Sequence, residues 1–322
     1  MSTPTSLDLP DGVRRTMIRT SRGMFAALEA VPASGVCERE GAVLVPGYTG
    51  SKEDFLAILN LLADHGRHIT AIDLRGQFET PAAADPGGYA APELGADLLA
   101  IMQATGARHL VGHSYGGLIA REAMLAGEEA QITVDSLTLM SSGPAALTGP
   151  RAAELNAMFA ALGIDGPGPD GPGIDGPELP DAASLRDGIA AIWRAHLEPQ
   201  AIAAGVPAPI VAFLGRRMLG NDPAGLILMA QHMLAAPDRT VELARLAGQL
   251  PMLVIYGEND NAWSPAAQEN MARRLGALRH CIPAAMHSPA VEAPATTASA
   301  LTQFWDATER ATRTHAAVSG TA

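Results

Sequence analysis

A serine flanked by glycine two positions away on each side stands in Gly112-His113-Ser114-Tyr115-Gly116. A hydroxyl is a poor nucleophile at neutral pH, so acyl transfer there needs a base within hydrogen-bond reach and a carboxylate to orient that base. The chain has nine histidines, and His287 is the candidate base. It stands in Pro283-Ala284-Ala285-Met286-His287-Ser288-Pro289, a loop that follows the last expected strand. His113 adjoins the serine, but neighbouring side chains diverge in so tight a turn. His65, His68 and His109 precede the serine, and His196 and His232 belong to the middle of the chain. The acid comes from Gly257-Glu258-Asn259-Asp260, after the apolar run 251–256. It must reach the imidazole N–H from a loop at the sheet edge, which favours Asp260 and leaves Glu258, nearer the strand, as the alternative.

This chemistry demands particular elements. A strand must lead into Ser114 and a helix must leave it, so that Oγ is presented at the sheet edge. Leu110 and Val111 supply the strand, 118–125 has a helical pattern, and glycines at 112, 116 and 117 remove side chains from the turn. Around it, short β-type runs at 16–20, 24–29, 42–45, 69–73, 136–140, 251–256 and 278–282 alternate with helical patterns near 55–62, 92–105, 265–276 and 294–310. That alternation predicts an α/β fold, a mostly parallel central sheet with helices on both faces. Residues 145–248 show helical patterns and no strand, which predicts a helical cap inserted between core segments 1–144 and 249–312, with a flexible tail at 313–322. Loops leaving such strands meet at the carboxyl edge, where open α/β sheets hold their ligands.

Composition narrows the function classes. A formal charge of −12 with Lys52 the only lysine argues against a nucleic-acid partner. No apolar stretch is long enough to span a bilayer, and residues 1–8 carry no basic region followed by an apolar one, so a cytoplasmic protein is expected. Cys37 and Cys281 have no metal-ligand spacing and are expected as buried free thiols. The Gly/Pro-rich stretch 163–180 repeats Gly-Ile-Asp-Gly-Pro and is expected as a mobile loop. Its Asp165, Asp170 and Asp175 are spaced more widely than a calcium loop requires, so no metal is expected.

With the glycine-flanked serine, Asp260 and His287 in that chain order, the sequence resembles the α/β-hydrolase superfamily. The resemblance covers roughly 40–145 and 250–310. Met286-His287-Ser288-Pro289 with Glu292 and Pro294 is similar to the family's histidine loop, with Met286 in place of a small residue. Asp73-Leu74-Arg75-Gly76-Gln77 is similar to its Asp-x-Arg-Gly-His turn, and Asp73 and Arg75 are expected to brace loops. The resemblance implies an oxyanion hole from the backbone N–H groups of Tyr115 and of Tyr48, the latter in Pro46-Gly47-Tyr48 where the family has His-Gly-x. It implies a serine hydrolase without cofactor, acting on a small or medium apolar ester through an acyl-enzyme. Thioesterase, carbon–carbon bond hydrolase and cofactor-free perhydrolase chemistry share the triad and stay open, as does a non-catalytic ligand receptor on the same fold. Trp263, three residues past Asp260, and Met229 and Met233, on an apolar helical face with Leu226 and Leu234, are candidates for the substrate pocket. The oligomeric state is not legible.

Overall fold

The computed structural model describes residues 1–130, 133–166 and 179–319. Eight strands form one sheet: Val13–Thr20 (β1), Gly23–Ala30 (β2), Ala42–Val45 (β3), Ile69–Ile72 (β4), His109–His113 (β5), Ser136–Met140 (β6), Met252–Gly257 (β7) and Leu278–Ile282 (β8). Their spatial order is β1-β2-β4-β3-β5-β6-β7-β8. β2 pairs antiparallel with both β1 and β4, and every pairing from β4 through β8 is parallel. The inner strands β3 to β7 are buried along their whole length. A parallel sheet covered on both faces imposes that burial, and it explains why these strands read as unbroken apolar runs.

Helices cover the two faces. Leu56–Ala63 (α1) and the C-terminal helix lie on one side, and Ala91–Thr105 (α2) packs on Tyr115–Ala130 (α3) on the other. Between β6 and β7 the described residues form helices and no strand: Gly149–Ala161 (α4), Ala182–Ile192 (α5), Glu198–Ala203 (α6), Ala208–Gly220 (α7), Pro223–Ala235 (α8) and Thr240–Ala244 (α9), with a π-helical turn at Trp193–Leu197. Pro265–Leu275 (α10) joins β7 to β8, and Pro289–Glu292 (α11) and Pro294–Ser319 (α12) close the chain. Among the described residues no helix is long and apolar enough to cross a membrane.

Two expectations change. The helix α12 runs on through Ser319, where the sequence predicts a tail from 313. Thr308, Thr312 and Thr314 hydroxyls donate to carbonyls four residues back, which satisfies these polar side chains within the helix past the end of its apolar stripe. Cys37 and Cys281 are both exposed, not buried. Cys37 lies in the loop before β3, and Cys281 lies on β8, an edge strand open along most of its length. Most of the Gly/Pro-rich stretch, including Asp170 and Asp175, lies outside the described residues.

Candidate active site

The strand β5 ends at His113 and α3 begins at Tyr115, leaving Ser114 as the single residue of the turn. Its φ is 54°, a left-handed conformation that costs a non-glycine residue about 1–2 kcal/mol. The turn is held by the Ser114 N–H donating to the Met140 carbonyl at 2.8 Å and the Gly117 N–H donating to the Ser114 carbonyl at 2.9 Å. Two glycines permit its neighbours to approach. A Cβ on Gly116 would lie 2.5 Å from the Pro46 carbonyl oxygen, and one on Gly47 would lie 2.8 Å from Ser114 Cβ. The loop after β3 is therefore pressed directly against the serine.

Asp260 and His287 arrive from the ends of β7 and β8. His287 Nδ1 lies 2.9 Å from Asp260 Oδ1, and its Nε2 lies 2.9 Å from Ser114 Oγ. The carboxylate only accepts, so Nδ1 carries the proton and Nε2 is free to accept from the serine hydroxyl. The Asp260 side chain is wholly buried, while that of His287 is 22% exposed. Burial pushes the Asp260 carboxyl up, but His287, the Ala262 N–H and the Gln268 amide outweigh it and hold it below the ordinary value. The site thus keeps an ionised acid behind the imidazole at neutral pH. Glu258 does not reach His287. It accepts from the Ala284 N–H at 2.9 Å and so braces the histidine loop.

Tyr115 is the first residue of α3, so its N–H has no acceptor within the helix. Tyr48 follows Gly47, whose carbonyl accepts the Gln77 amide and the Gly50 N–H, each at 3.0 Å. Gln77 in turn accepts from the Leu74 N–H at 3.2 Å. Asp73 accepts from Lys52 twice, from its backbone N–H at 2.7 Å and from Nζ at 2.8 Å, and Arg75 grips Asp97 at 2.6 Å. Both residues brace loops. The Trp263 ring lies 6.3 Å from the His287 ring, centroid to centroid, and its Nε1 donates to the Ala145 carbonyl at 3.0 Å. Met229 and Met233 share one buried cluster with Tyr115 and Trp263. Leu226 packs instead with Trp193 and Phe213, and Leu234 sits beside Ile227, so α8 is apolar nearly all round.

Three residues given no role in the sequence analysis complete the site. His113 Nε2–H donates to the His287 carbonyl at 2.7 Å, and burial with the nearby His287 pushes the His113 imidazole down to about 4. Gln268 donates to Asp260 Oδ2 and to the Trp263 carbonyl, both at 2.9 Å. Its place in the first turn of α10, capped by Ser264 with Pro265 next, was the available signal. Gln77 holds the loop of Tyr48, as described.

A family model, the Alpha/beta hydrolase family, matches residues 42–300. The chain belongs to that family. As an alpha/beta hydrolase it is similar to a thermophilic esterase from Thermogutta terrifontis, 21% identical, with 92% of this chain and 99% of that one covered at a TM-score of 0.65. The enol-lactonase from Burkholderia xenovorans LB400 is 17% identical, covering 90% of this chain and 99% of the other, at a TM-score of 0.62. Likeness at these identities is a likeness of fold. A curated relative, RutD of Variovorax paradoxus (strain S110), whose name includes the words carbamate hydrolase, is 37% identical over 87 residues. That match spans 26% of this chain and 32% of the relative's own length.

Proposed function

We propose that this alpha/beta hydrolase is a serine esterase that cleaves a small or medium apolar carboxylic ester through an acyl-enzyme. The observation that carries this reading is the continuous relay from Ser114 Oγ through His287 to Asp260, each contact 2.9 Å. Ser114 attacks the ester carbonyl carbon while His287 Nε2 takes its proton, and Asp260 holds the imidazolium that forms. The N–H groups of Tyr48 and Tyr115 stabilise the oxyanion of the tetrahedral intermediate. The intermediate collapses as His287 gives its proton to the leaving alcohol. Water then attacks the acyl-enzyme, with His287 as base, and the acid departs from Ser114.

In this reading residues 145–248 act as a cap over the carboxyl edge of the sheet. Trp263, Met229 and Met233 line the acyl side, since they belong to the buried cluster that includes Tyr115, and the Trp263 ring lies 6.3 Å from that of His287. An apolar lining recognises an acyl chain by area and shape, which suits a small-molecule ester. Turnover of p-nitrophenyl esters, acyl-coenzyme A thioesters and vinylogous diketones, with Ser114→Ala as the control, separates the subtypes. Ester turnover alone, lost in Ser114→Ala, supports the proposal. Preference for the thioester or the diketone would reassign the reaction, and an equally active Ser114→Ala would remove the serine from it.

A further inference from the structure

Arg217, on α7, is fully buried, and it stands where three parts of the chain meet. Its Nη1 donates to Asp54 Oδ1 at 2.6 Å and its Nη2 to the Ser2 carbonyl at 2.7 Å. The guanidinium also lies 5.3 Å from the Phe213 ring one turn earlier, and Phe213 meets Phe78 edge-on at 5.7 Å. Asp54 belongs to the short 3-10 turn that follows the loop of Tyr48, and its other oxygen accepts the Ser51 N–H at 3.3 Å. Ser2 reaches the opposite side of the site, its Oγ 2.8 Å from that of Ser288, the residue after His287.

A buried ion pair is an expensive way to join two elements, because desolvation of both charges offsets much of their attraction. Here that cost is visible. Burial pushes the Asp54 carboxyl up in spite of Arg217, and the Arg217 Nε–H finds no acceptor among the described residues. Apolar side chains of similar volume would join helix to core at least as stably. What the charged pair adds is direction: a carboxylate held from one side by Arg217 presents its second oxygen to the Ser51 N–H at a fixed place. Tyr48 is three residues upstream of Ser51 on the same short loop.

We propose that Arg217 is a positioning residue that, through Asp54, fixes the loop carrying the Tyr48 N–H and so links seating of the α7 segment to the competence of the oxyanion site. This inference rests on the serine-esterase reading. A fluorophosphonate probe tests both, because it bonds to the nucleophilic serine and puts its phosphoryl oxygen at the oxyanion position. Arg217→Met should label on the order of 10- to 100-fold more slowly, part of the loss of a whole oxyanion donor. Its KM for a p-nitrophenyl ester should stay within about threefold of wild type, since the planar ground state uses the hole little. Arg217→Lys should recover part of the rate. The double variant Asp54→Asn with Arg217→Met removes both charges, avoids an uncompensated buried carboxylate, and should fold well while labelling slowly. Arg217→Met labelled at the wild-type rate would overturn the inference, as would a double variant that recovers stability and rate together. Wild-type protein that resists the probe would sink the esterase reading and this inference with it. A labelled wild type beside an equally labelled Arg217→Met removes the inference alone.

Discussion

His113 donates its Nε2–H to the backbone carbonyl of His287 at 2.7 Å, so the residue before the proposed nucleophile holds the loop of the proposed base. The two rings stand 5.2 Å apart, centroid to centroid. Serine and histidine are 173 positions apart in the chain, and this bond sets the loop of one against the turn of the other.

His113→Leu leaves the part-buried His287 carbonyl without its donor, at a cost of about 1–3 kcal/mol. If part of that loosens the histidine loop, ester turnover should fall roughly tenfold. His113→Gln, which keeps an N–H donor, should retain more activity than the leucine variant. Steady-state kinetics on a p-nitrophenyl ester decide it, and a fully active His113→Leu would show that the bond does not position the base.

Asp260→Asn should cut turnover by about 10³–10⁴, because an amide cannot stabilise the imidazolium and turns the ring toward the wrong tautomer. Glu258→Gln should be mild, since Glu258 only accepts from the Ala284 N–H. The reverse pattern would move the acid to Glu258. Gln268→Leu belongs to the same series: it strips one donor from Asp260 and should lower turnover several-fold with little change in KM.

Stability should fall on mild acidification. Burial lowers His113 and His232 from the ordinary 6.5 to about 4 in the folded chain. Between those values the unfolded chain takes up protons that the native state refuses, so stability declines as pH falls through the window. The slope approaches about 1.4 kcal/mol per pH unit for each histidine. Urea midpoints at pH 7 and pH 5 measure it, and His232→Gln should give a shallower dependence. An unchanged midpoint would mean that both imidazoles protonate in place.

Met233→Ala opens space in the buried cluster that also holds Tyr115 and Trp263, and deletion of so buried a side chain costs about 2–5 kcal/mol. In the proposed acyl pocket it should also shift preference toward longer or branched acyl chains across a p-nitrophenyl ester series. Destabilisation with no change in chain preference would return Met233 to internal packing.

Much of this was legible because parallel strands buried on both faces leave unbroken apolar runs. The strands at 42–45 and 136–140 coincide with β3 and β6 for that reason, whereas 278–282 coincides with β8, an exposed edge strand, through its place between a helix and the histidine loop. Ser114, Asp260 and His287 could be singled out because each stands directly after a strand or in the short loop that leaves one. Gln268 and Arg217 were not singled out, since a helix start marks where Gln268 stands but not what it meets, and the partners of Arg217, Asp54 and Ser2, are more than 160 positions away in the chain. Cys281 was misplaced because a lone thiol gives no sign of its surroundings, and its exposure follows from the place of β8 at the edge of the sheet. The C-terminal helix was drawn short because its apolar stripe ends near Phe304 and Trp305, and the turns beyond are carried by threonine, alanine and arginine.

The central claim is that Ser114 is a nucleophile activated by His287. Mass spectrometry of the chain treated with a fluorophosphonate, followed by peptide mapping, tests it most directly. One adduct per chain, on Ser114 and absent from Ser114→Ala, is the predicted result. No adduct, or an adduct on another residue with Ser114 unmodified, would contradict it.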